Sequence, residues 1–315
     1  MAINIQNYQI AIIIPCYNEA QTIATVIHDL RRSIPNATCY IFDNNSSDDT
    51  TDVARRAGAN VRQVTLQGKG NVVRRMFADI DADIYVMVDG DATYDASVAP
   101  QLIEKLVDEG LDMVVGNRVS DEVAAYRLGH RFGNEMLTGV VAFIFGRTFN
   151  DMLSGYRIFS KRFVKSFPAH ARRFEIETEL SVHALELRMP VAEVVTNYGI
   201  RPEGSVSKLN TYRDGFHILW TIFKLIKLER PLAFFAVGFF AALAIAVTLS
   251  TPVFATYLET GLVPRLPTAL LSAAFVLLGF MLLVCGLILD NVTMGRIEAK
   301  RFAYLQIPAI SKIDR

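Results

Sequence analysis

Two long stretches near the carboxyl end of this chain contain no charged side chain, and they constrain its architecture most. They cover residues 231–251 and 266–289 and are dominated by Leu, Ala, Phe and Val. Each exceeds the roughly 20 residues that a helix needs to cross a bilayer. A buried core helix is the alternative, but two such runs in succession without a polar face favour membrane spans. We therefore expect two transmembrane helices.

The basic residues around these stretches predict their orientation. They precede the first stretch and follow the second: Lys224, Lys227, Arg230, Arg296, Lys300 and Arg301. The connection at 252–265 carries only Glu259 and Arg265 as charged residues. The positive-inside rule then places both ends in the cytoplasm, which predicts a multi-pass protein of the inner (cytoplasmic) membrane with a cytoplasmic tail at 290–315. Residues 212–230 mix apolar and basic side chains, which is typical of a juxtamembrane amphipathic helix, although an ordinary packing helix is an alternative.

The first 211 residues show a different pattern, in which short β-branched runs alternate with helical ones. The predicted strands are 9–14, 38–42, 61–65, 84–88 and 113–115, and the predicted helices are 19–33, 49–57, 71–78 and 98–107. This alternation predicts an α/β domain with a mostly parallel, Rossmann-like sheet that is covered on both faces.

Composition excludes several classes of function. Lys plus Arg equals Asp plus Glu at 32 each, so overall charge does not indicate a nucleic-acid partner. The three cysteines form no CxxC pair and are expected to be reduced thiols. Residues 1–10 lack the features of a cleavable signal peptide, so the α/β domain is expected to stay in the cytoplasm.

Polar residues follow the first two predicted strands, where open parallel sheets bind their ligands. The sequence is PCYNE at 15–19 and DNNSSD at 43–48, with no GxGxxG turn in either. That absence counts against a dinucleotide oxidoreductase. Glu19 and Asp43 can accept hydrogen bonds from hydroxyl or ring N–H groups, and Asn45 can both donate and accept. These residue types suit a ribose and a base.

The strongest local signal is Asp89-Gly90-Asp91, directly after the apolar strand at 84–88. Two carboxylates beside a diphosphate suit Mg²⁺ or Mn²⁺, which take their remaining oxygen ligands from phosphate and water. We therefore predict that Asp89 and Asp91 are metal ligands. Lys69, between Gly68 and Gly70, is a further candidate for contact with the donor.

Taken in order, these motifs resemble the inverting family 2 glycosyltransferases, in the branch of dolichol-phosphate mannose synthases and bacterial polyprenyl-phosphate glucosyltransferases. The segments at 15–19 and 43–48 are similar to the family's nucleotide-binding segments, 89–91 to its DxD motif, and DMLSGYR at 151–157 to its DxxSGxR segment. The resemblance implies a GT-A fold. It also implies that the nucleotide sugar contacts Pro15, Tyr17, Asn18, Glu19, Asp43, Asn45, Lys69, Asp89, Gly90, Asp91, Arg201 and Lys208.

The same resemblance places Asp151, Arg118 and Arg131 at the reaction centre. Arg118, Arg131 and Asn134 correspond to groups near a lipid phosphate, and Arg201 and Lys208 lie in a segment that closes over the donor. Many relatives carry glutamine two residues after the DxD, where this chain has Thr93. Family accounts often call the aspartate at 151 a base. An orienting or metal-side role is the expectation here, because a phosphate acceptor is already ionised at neutral pH.

The predicted activity is inverting transfer of a sugar from a nucleotide sugar to a polyprenyl phosphate, with a UDP-sugar favoured and GDP-mannose open. The oligomeric state is left open. One alternative is a processive polysaccharide synthase, although the QxxRW element of such enzymes is absent around Trp220. The other alternative is a membrane-tethered nucleotide sensor, which would need neither Asp151 nor the arginines.

Overall fold

The computed structural model describes residues 7–119, 128–146, 149–169, 176–199 and 211–310. The chain divides into two compact units. The first comprises Met1–Ile218 together with Ala299–Arg315, and the second is Leu219–Glu298.

A sheet of seven strands, counted over the described residues, forms the centre of the first unit. The strands are β1 (Ile10–Cys16), β2 (Thr38–Asp43), β3 (Asn60–Gln63), β4 (Ile84–Met87), β5 (Met113–Val119), β6 (Arg157–Ser160) and β7 (Val191–Asn197). Their order across the sheet is β3-β2-β1-β4-β6-β5-β7. β6 runs antiparallel to β4 and β5, and the other neighbouring pairs are parallel.

Helices cover the sheet. They are α1 (Ile23–Ser33), α2 (Thr50–Arg56), α3 (Lys69–Asp79), α4 (Ala99–Asp108), α5 (Leu128–Phe145), α6 (Lys161–Ser166) and α7 (Ile176–Glu186). In α1 the buried residues Ile23, Val26, Ile27 and Leu30 recur at helical spacing. In β1 the side chains of both faces are buried apart from that of Pro15, as expected for a strand with helices on either side. A fully buried isoleucine stabilises such a core by roughly 1.5–3 kcal/mol.

The predicted fold class is confirmed, and the five predicted strands and four predicted helices are present with small shifts at their ends. β6 and β7 were not predicted. β6 has only four residues, and it forms by insertion between β4 and β5, so its partners are distant in sequence. The carboxyl ends of β1, β2, β4 and β5 therefore meet at one edge of the sheet, which we call the ligand edge.

The second unit is helical. Helix α8 (Thr211–Glu229) leads into it, followed by α9 (Pro231–Thr260) and α10 (Leu266–Leu305). Both α9 and α10 are long and apolar enough to cross a membrane. α9 continues through Pro252 to Thr260, where Gly261 at φ 68° ends it, so it is longer than the predicted 231–251 span. The connection that we expected at 252–265 is correspondingly shorter.

The two long helices approach closely at small residues. A Cβ atom added to Gly286 would lie 3.0 Å from the Cβ of Phe235, and one added to Gly279 would lie 3.3 Å from the ring of Phe239. Ser272 also donates a hydrogen bond to the carbonyl of Ala246 at 2.9 Å. These contacts are typical of helices that pack through glycine and hydroxyl positions.

The last turns of α10 belong to the first unit. Lys300 forms an ion pair with Glu186 at 2.5 Å, and the Tyr304 hydroxyl donates to Asp112 at 2.9 Å. Asp112 is fully buried and also accepts two hydrogen bonds from Arg162. The carboxylate thus attaches the end of α10 to the amino end of β5, opposite the ligand edge.

Candidate active site

Two asparagines shape the first turns of the ligand edge. Asn18 and Asn45 adopt left-handed backbone conformations, with φ of 53° and 63°. Asn18 accepts a hydrogen bond from the Ser47 amide at 2.8 Å, which joins the turn after β1 to the turn after β2. Asn45 donates to the Thr65 carbonyl at 2.8 Å. Both residues were predicted to contact a nucleotide, and these bonds commit part of their amide groups to holding the turns.

Asp43 ends β2 and is buried, with 2% of its surface exposed. One carboxylate oxygen accepts from the Ser46 amide at 3.2 Å. The other oxygen is buried and has no hydrogen-bond partner among the described residues. A buried carboxylate oxygen without a donor is costly, so this position suits a ligand that brings an N–H or O–H group.

The Asp89-Gly90-Asp91 turn follows β4 and lies against the turn after β1. A Cβ atom on Gly90 would lie 3.1 Å from Cys16 Sγ and 3.6 Å from Glu19 Cγ, so glycine permits this close approach. The Gly90 carbonyl accepts a hydrogen bond from the Thr22 hydroxyl at 2.6 Å. The structure therefore brings the predicted residues Glu19, Gly90 and Asp91 to one place.

Thr93 orients Asp91. The Thr93 hydroxyl donates to Asp91 Oδ1 at 2.6 Å, and both residues are buried. Ala92 between them has φ of 57°, which costs a residue other than glycine roughly 1–2 kcal/mol. Thr93 thus holds one carboxylate of the Asp89-Gly90-Asp91 turn.

Asp89 lies between a lysine and a glycine. Its Oδ1 is 2.6 Å from Lys69 Nζ, and its Oδ2 would be 2.3 Å from a Cβ atom on Gly155. Lys69 Nζ is also 2.5 Å from Glu177 Oε1 at the start of α7. Burial alone would lower the pKa of Lys69, but the charges of Asp89 and Glu177 outweigh burial and raise this pKa above its usual range. Lys69 is therefore a permanent cation at the ligand edge.

Asn44 builds the loop that presents Lys69. Its side-chain amide donates to the carbonyls of Val64 and Leu66, both at 2.9 Å, and its oxygen accepts from the Gly68 amide at 2.6 Å. Gly68 has φ of 125° and precedes the first residue of α3, Lys69. Asn44, directly after β2, thereby positions Lys69 at the start of α3, although α2 and β3 lie between them in the chain.

Asp151 and Arg118 form a two-point ion pair. Arg118 Nε and Nη2 donate to the two oxygens of Asp151 at 2.7 and 2.8 Å. Burial alone would raise the pKa of Asp151, but the hydrogen bonds and charge of Arg118 outweigh burial and hold this pKa below its usual value. The Arg118 guanidinium also lies over the Tyr198 ring, 5.4 Å from its centroid. Asp151 is therefore an ionised carboxylate that orients Arg118.

Further contacts hold the 151–157 segment in place. Arg157 is fully buried and donates to the carbonyls of Met152 and Ser154, at 2.6 and 2.9 Å. Burial lowers the pKa of Arg157 to about 10, so it remains charged at neutral pH. The Tyr94 hydroxyl accepts from the Gly155 amide at 2.9 Å, and Glu193 accepts from the Asp151 amide at 3.1 Å.

Several predicted site residues lie outside this description. Arg201 and Lys208 are outside the described residues. Arg131 and Asn134 lie in α5, whose backbone is described, but their side chains are not. Pro15 lies in β1, and Tyr17 is the first residue after the end of that strand.

Sequence reasoning missed other residues that build the site: Asn44, Tyr94, Arg157, Glu177 and Glu193. Asn44 and Arg157 stood inside motifs that had been singled out. Glu177 and Glu193 carried no local signal, because their partners are more than 40 residues away.

The mostly parallel sheet, with DxD carboxylates after a central strand and a DxxSGxR segment beside them, defines a GT-A type α/β domain. Residues 11–170 match the family described as Glycosyl transferase family 2. The chain belongs to this family and is a glycosyltransferase.

Similar proteins extend the comparison over most of the chain. Glycosyltransferase AglJ from Haloferax volcanii is 34% identical over 300 residues, which cover 94% of this chain and 98% of AglJ. A dolichyl-phosphate hexose transferase from the same organism is 26% identical over 221 residues, covering 70% of this chain and 95% of that protein. Glucosyl-3-phosphoglycerate synthase from Mycobacterium tuberculosis, solved with Mn²⁺, UDP and phosphoglyceric acid, superposes with a TM-score of 0.56 at 24% identity. The superposition covers 70% of this chain and 78% of that one, and supports the fold.

Proposed function

We propose that this protein is a membrane-anchored, divalent-metal-dependent, inverting glycosyltransferase that moves a sugar from a nucleotide sugar to a polyprenyl phosphate. One observation carries the proposal: a family 2 transferase domain shares its chain with two helices long enough to cross a membrane. A dolichyl-phosphate hexose transferase among its relatives supports a lipid phosphate as the acceptor class.

The donor is assigned to the turns after β1, β2 and β4. The unpartnered buried oxygen of Asp43 suits the N–H of a base, and Glu19 lies beside Gly90 where a ribose or diphosphate would pass. Lys69 supplies a positive charge at the same edge. A UDP-sugar is the favoured donor and GDP-mannose the second choice. The M. tuberculosis synthase solved with UDP has the same fold.

Asp89 and Asp91 would hold Mg²⁺ or Mn²⁺. Within the described residues no group of three or more His, Cys, Asp or Glu side chains could surround a metal ion. Two carboxylates nevertheless fit such ions, which bind through few protein oxygens and complete their shell with phosphate and water. The ion would neutralise the diphosphate as it leaves. The protein's part is to hold Asp91 through Thr93 and to keep Asp89 between Lys69 and Gly155.

The acceptor is assigned to the arginines. Arg118 pairs with Asp151 at 2.7 Å, and its guanidinium lies over the Tyr198 ring. We assign Arg118, with Arg131 and Asn134, to the acceptor phosphate, and Arg201 and Lys208 to the closing of the donor site. A phosphate monoester with a second pKa of about 6 is largely ionised at neutral pH and needs no base. Asp151, already paired with Arg118, then serves as an orienting group.

The proposed location is the inner (cytoplasmic) membrane, with α9 and α10 as two spans and the transferase unit in the cytoplasm. Large apolar side chains on both helices are highly exposed, including Val237 at 72% and Leu270 at 64%, as expected for surfaces that contact lipid. The basic residues on the outer flanks of the two spans support the orientation.

A turnover assay with the full chain in detergent tests the proposal. Labelled UDP-glucose, UDP-N-acetylglucosamine and GDP-mannose are each supplied with Mn²⁺ and a polyprenyl phosphate. Nucleoside diphosphate release that requires the lipid, with one sugar per lipid in the product, is the expected result. A polymeric product would indicate a processive synthase. Binding without turnover would indicate a sensor, and transfer to phosphoglycerate alone would overturn the lipid acceptor.

A further inference from the structure

The Lys69 ammonium bridges two carboxylates that differ in their surroundings. It is 2.6 Å from Asp89 Oδ1 and 2.5 Å from Glu177 Oε1, and 12% of its side chain is exposed. The Glu177 side chain is 6% exposed, whereas that of Asp89 is 28% exposed. Asp89 is therefore the partner that solvent and ligands can reach, and Glu177 is the interior partner.

The two oxygens of Glu177 differ in their contacts, since Oε1 is the one that meets Lys69 Nζ. Its Oε2 is buried and has no hydrogen-bond partner among the described residues. The buried Arg157 guanidinium interacts with it through charge. A carboxylate in such a position is costly to bury unless a cation stays beside it. Moving Lys69 away from Glu177 would therefore cost free energy, which favours keeping the ammonium in place.

Asp89 cannot serve Lys69 and a divalent ion equally well. Gly155 closes one side of the carboxylate, because a Cβ atom on that residue would lie 2.3 Å from Asp89 Oδ2, so Asp89 can turn only toward its exposed side. An ion bound to Asp89 would repel the ammonium now 2.6 Å from Oδ1. Lys69 must then be held from elsewhere or leave the site.

We propose that Glu177 is a positioning residue that keeps Lys69 at the ligand edge when a divalent cation takes over Asp89, so that the ammonium passes from Asp89 to the leaving diphosphate. The inference rests on the proposed function for its donor and metal. It adds that Lys69 and the metal ion compete for Asp89 before the nucleotide arrives, and cooperate once it is bound.

This exchange predicts effects of opposite sign for one substitution. In Lys69→Met the competitor for Asp89 is gone, so the affinity for Mn²⁺ alone should rise by about tenfold, the usual effect of removing one adjacent like charge. The affinity for a nucleoside diphosphate in the presence of Mn²⁺ should fall by about tenfold, since the diphosphate loses its lysine. A lysine with only a structural role would not move the two affinities in opposite directions.

Glu177→Gln tests the positioning role at constant shape. Lys69 then has Asp89 as its remaining carboxylate, so the affinity for Mn²⁺ alone and the Mn²⁺-dependent nucleotide affinity should both fall by about tenfold. In a Lys69→Met background, Glu177→Gln should change Mn²⁺ affinity by less than about threefold, because its effect acts through the lysine. Glu179→Gln, two residues along α7, is the matched control and should behave like the wild type.

The experiment uses the full chain in detergent. Mn²⁺ binding is measured by electron paramagnetic resonance of the free ion, and UDP and GDP binding by calorimetry with saturating Mn²⁺. Unchanged or weaker Mn²⁺ binding in Lys69→Met would overturn the proposed competition between Lys69 and the metal ion for Asp89. This measurement tests that competition even if Glu177→Gln does not fold. An equal effect of Glu177→Gln in both backgrounds overturns the positioning role. If the wild type binds neither nucleotide, the proposed donor site itself fails. If the wild type binds UDP or GDP and the variants have the same affinities as the wild type, the donor site stands and only the proposed role of Glu177 and Lys69 fails.

Discussion

Gly155 is the position at which a single methyl group should separate activity from stability. In Gly155→Ala the added Cβ would lie 2.3 Å from Asp89 Oδ2, 2.8 Å from its Cγ and 3.0 Å from its Oδ1. Atoms in contact without a bond are normally more than 3 Å apart, so the whole carboxylate must move by about 1 Å. The segment itself cannot easily yield, because the Gly155 amide donates to the Tyr94 hydroxyl and Ser154 is tied to the Gly116 carbonyl.

The expected cost in stability is moderate, whereas the cost in activity is large. Overpacking by one methyl group typically costs about 1–3 kcal/mol, and Asp89 is partly exposed and can move toward solvent. Displacement of a reacting group by about 1 Å can reduce the rate by about a hundredfold. We therefore expect a folded protein with turnover reduced by about a hundredfold and weaker Mn²⁺ binding.

The assay compares turnover, Mn²⁺ affinity and thermal unfolding for the wild type, Gly155→Ala and Gly139→Ala. Gly139 is a matched control because a Cβ there meets nothing within 4 Å, and it lies in α5 where alanine is favoured. Normal turnover and Mn²⁺ binding in Gly155→Ala would refute the assignment of Asp89 to the metal and donor. A parallel loss in Gly139→Ala would show that the assay reports something other than Asp89.

Four other predictions follow from the structure and the proposed function. Asp91→Asn should abolish transfer without unfolding the protein, as judged by circular dichroism beside the turnover assay; a fully active variant at ordinary Mn²⁺ would contradict a metal role. Arg131→Ala should weaken use of the lipid acceptor by roughly ten- to a hundredfold in acceptor titrations, since a charge-assisted contact contributes about 1.5–3 kcal/mol, and calorimetry should show unchanged donor binding. A reporter fused after Arg315 should be cytoplasmic and one placed at 261–265 should be exported; two reporters on one side would exclude a hairpin. Burial lowers the pKa of His183 to about 3, so below about pH 6.5 only the unfolded state gains a proton at this residue and stability falls as pH falls, by at most about 1.4 kcal/mol per pH unit. His183→Phe should flatten that dependence in thermal unfolding between pH 7 and 5, and an unchanged slope would show that other groups cause it.

The sequence by itself determined the features that depend on short-range pattern. Apolar runs at 84–88 and 231–251, and the polar residues that end β1, β2 and β4, are local properties of the chain, and a parallel sheet gathers such strand ends at one edge. Glu19, Asp43, Asp89 and Asp91 were predicted in this way. Their neighbours in the chain were sufficient to indicate where they would lie.

Tertiary structure decided what those residues contact. Asp89 meets Gly155 and Lys69, and Lys69 meets Glu177, through contacts between residues 20 to more than 100 positions apart. Arg118 and Asp151 were both predicted, but their pairing depends on β6 inserting between β4 and β5. That insertion depends on hydrogen bonds to two strands that are distant in sequence. The four residues of β6 have too weak a local preference for strand structure to predict it. Burial and charge pairing are properties of the assembled fold, because the partner that makes a buried charge tolerable lies elsewhere in the chain.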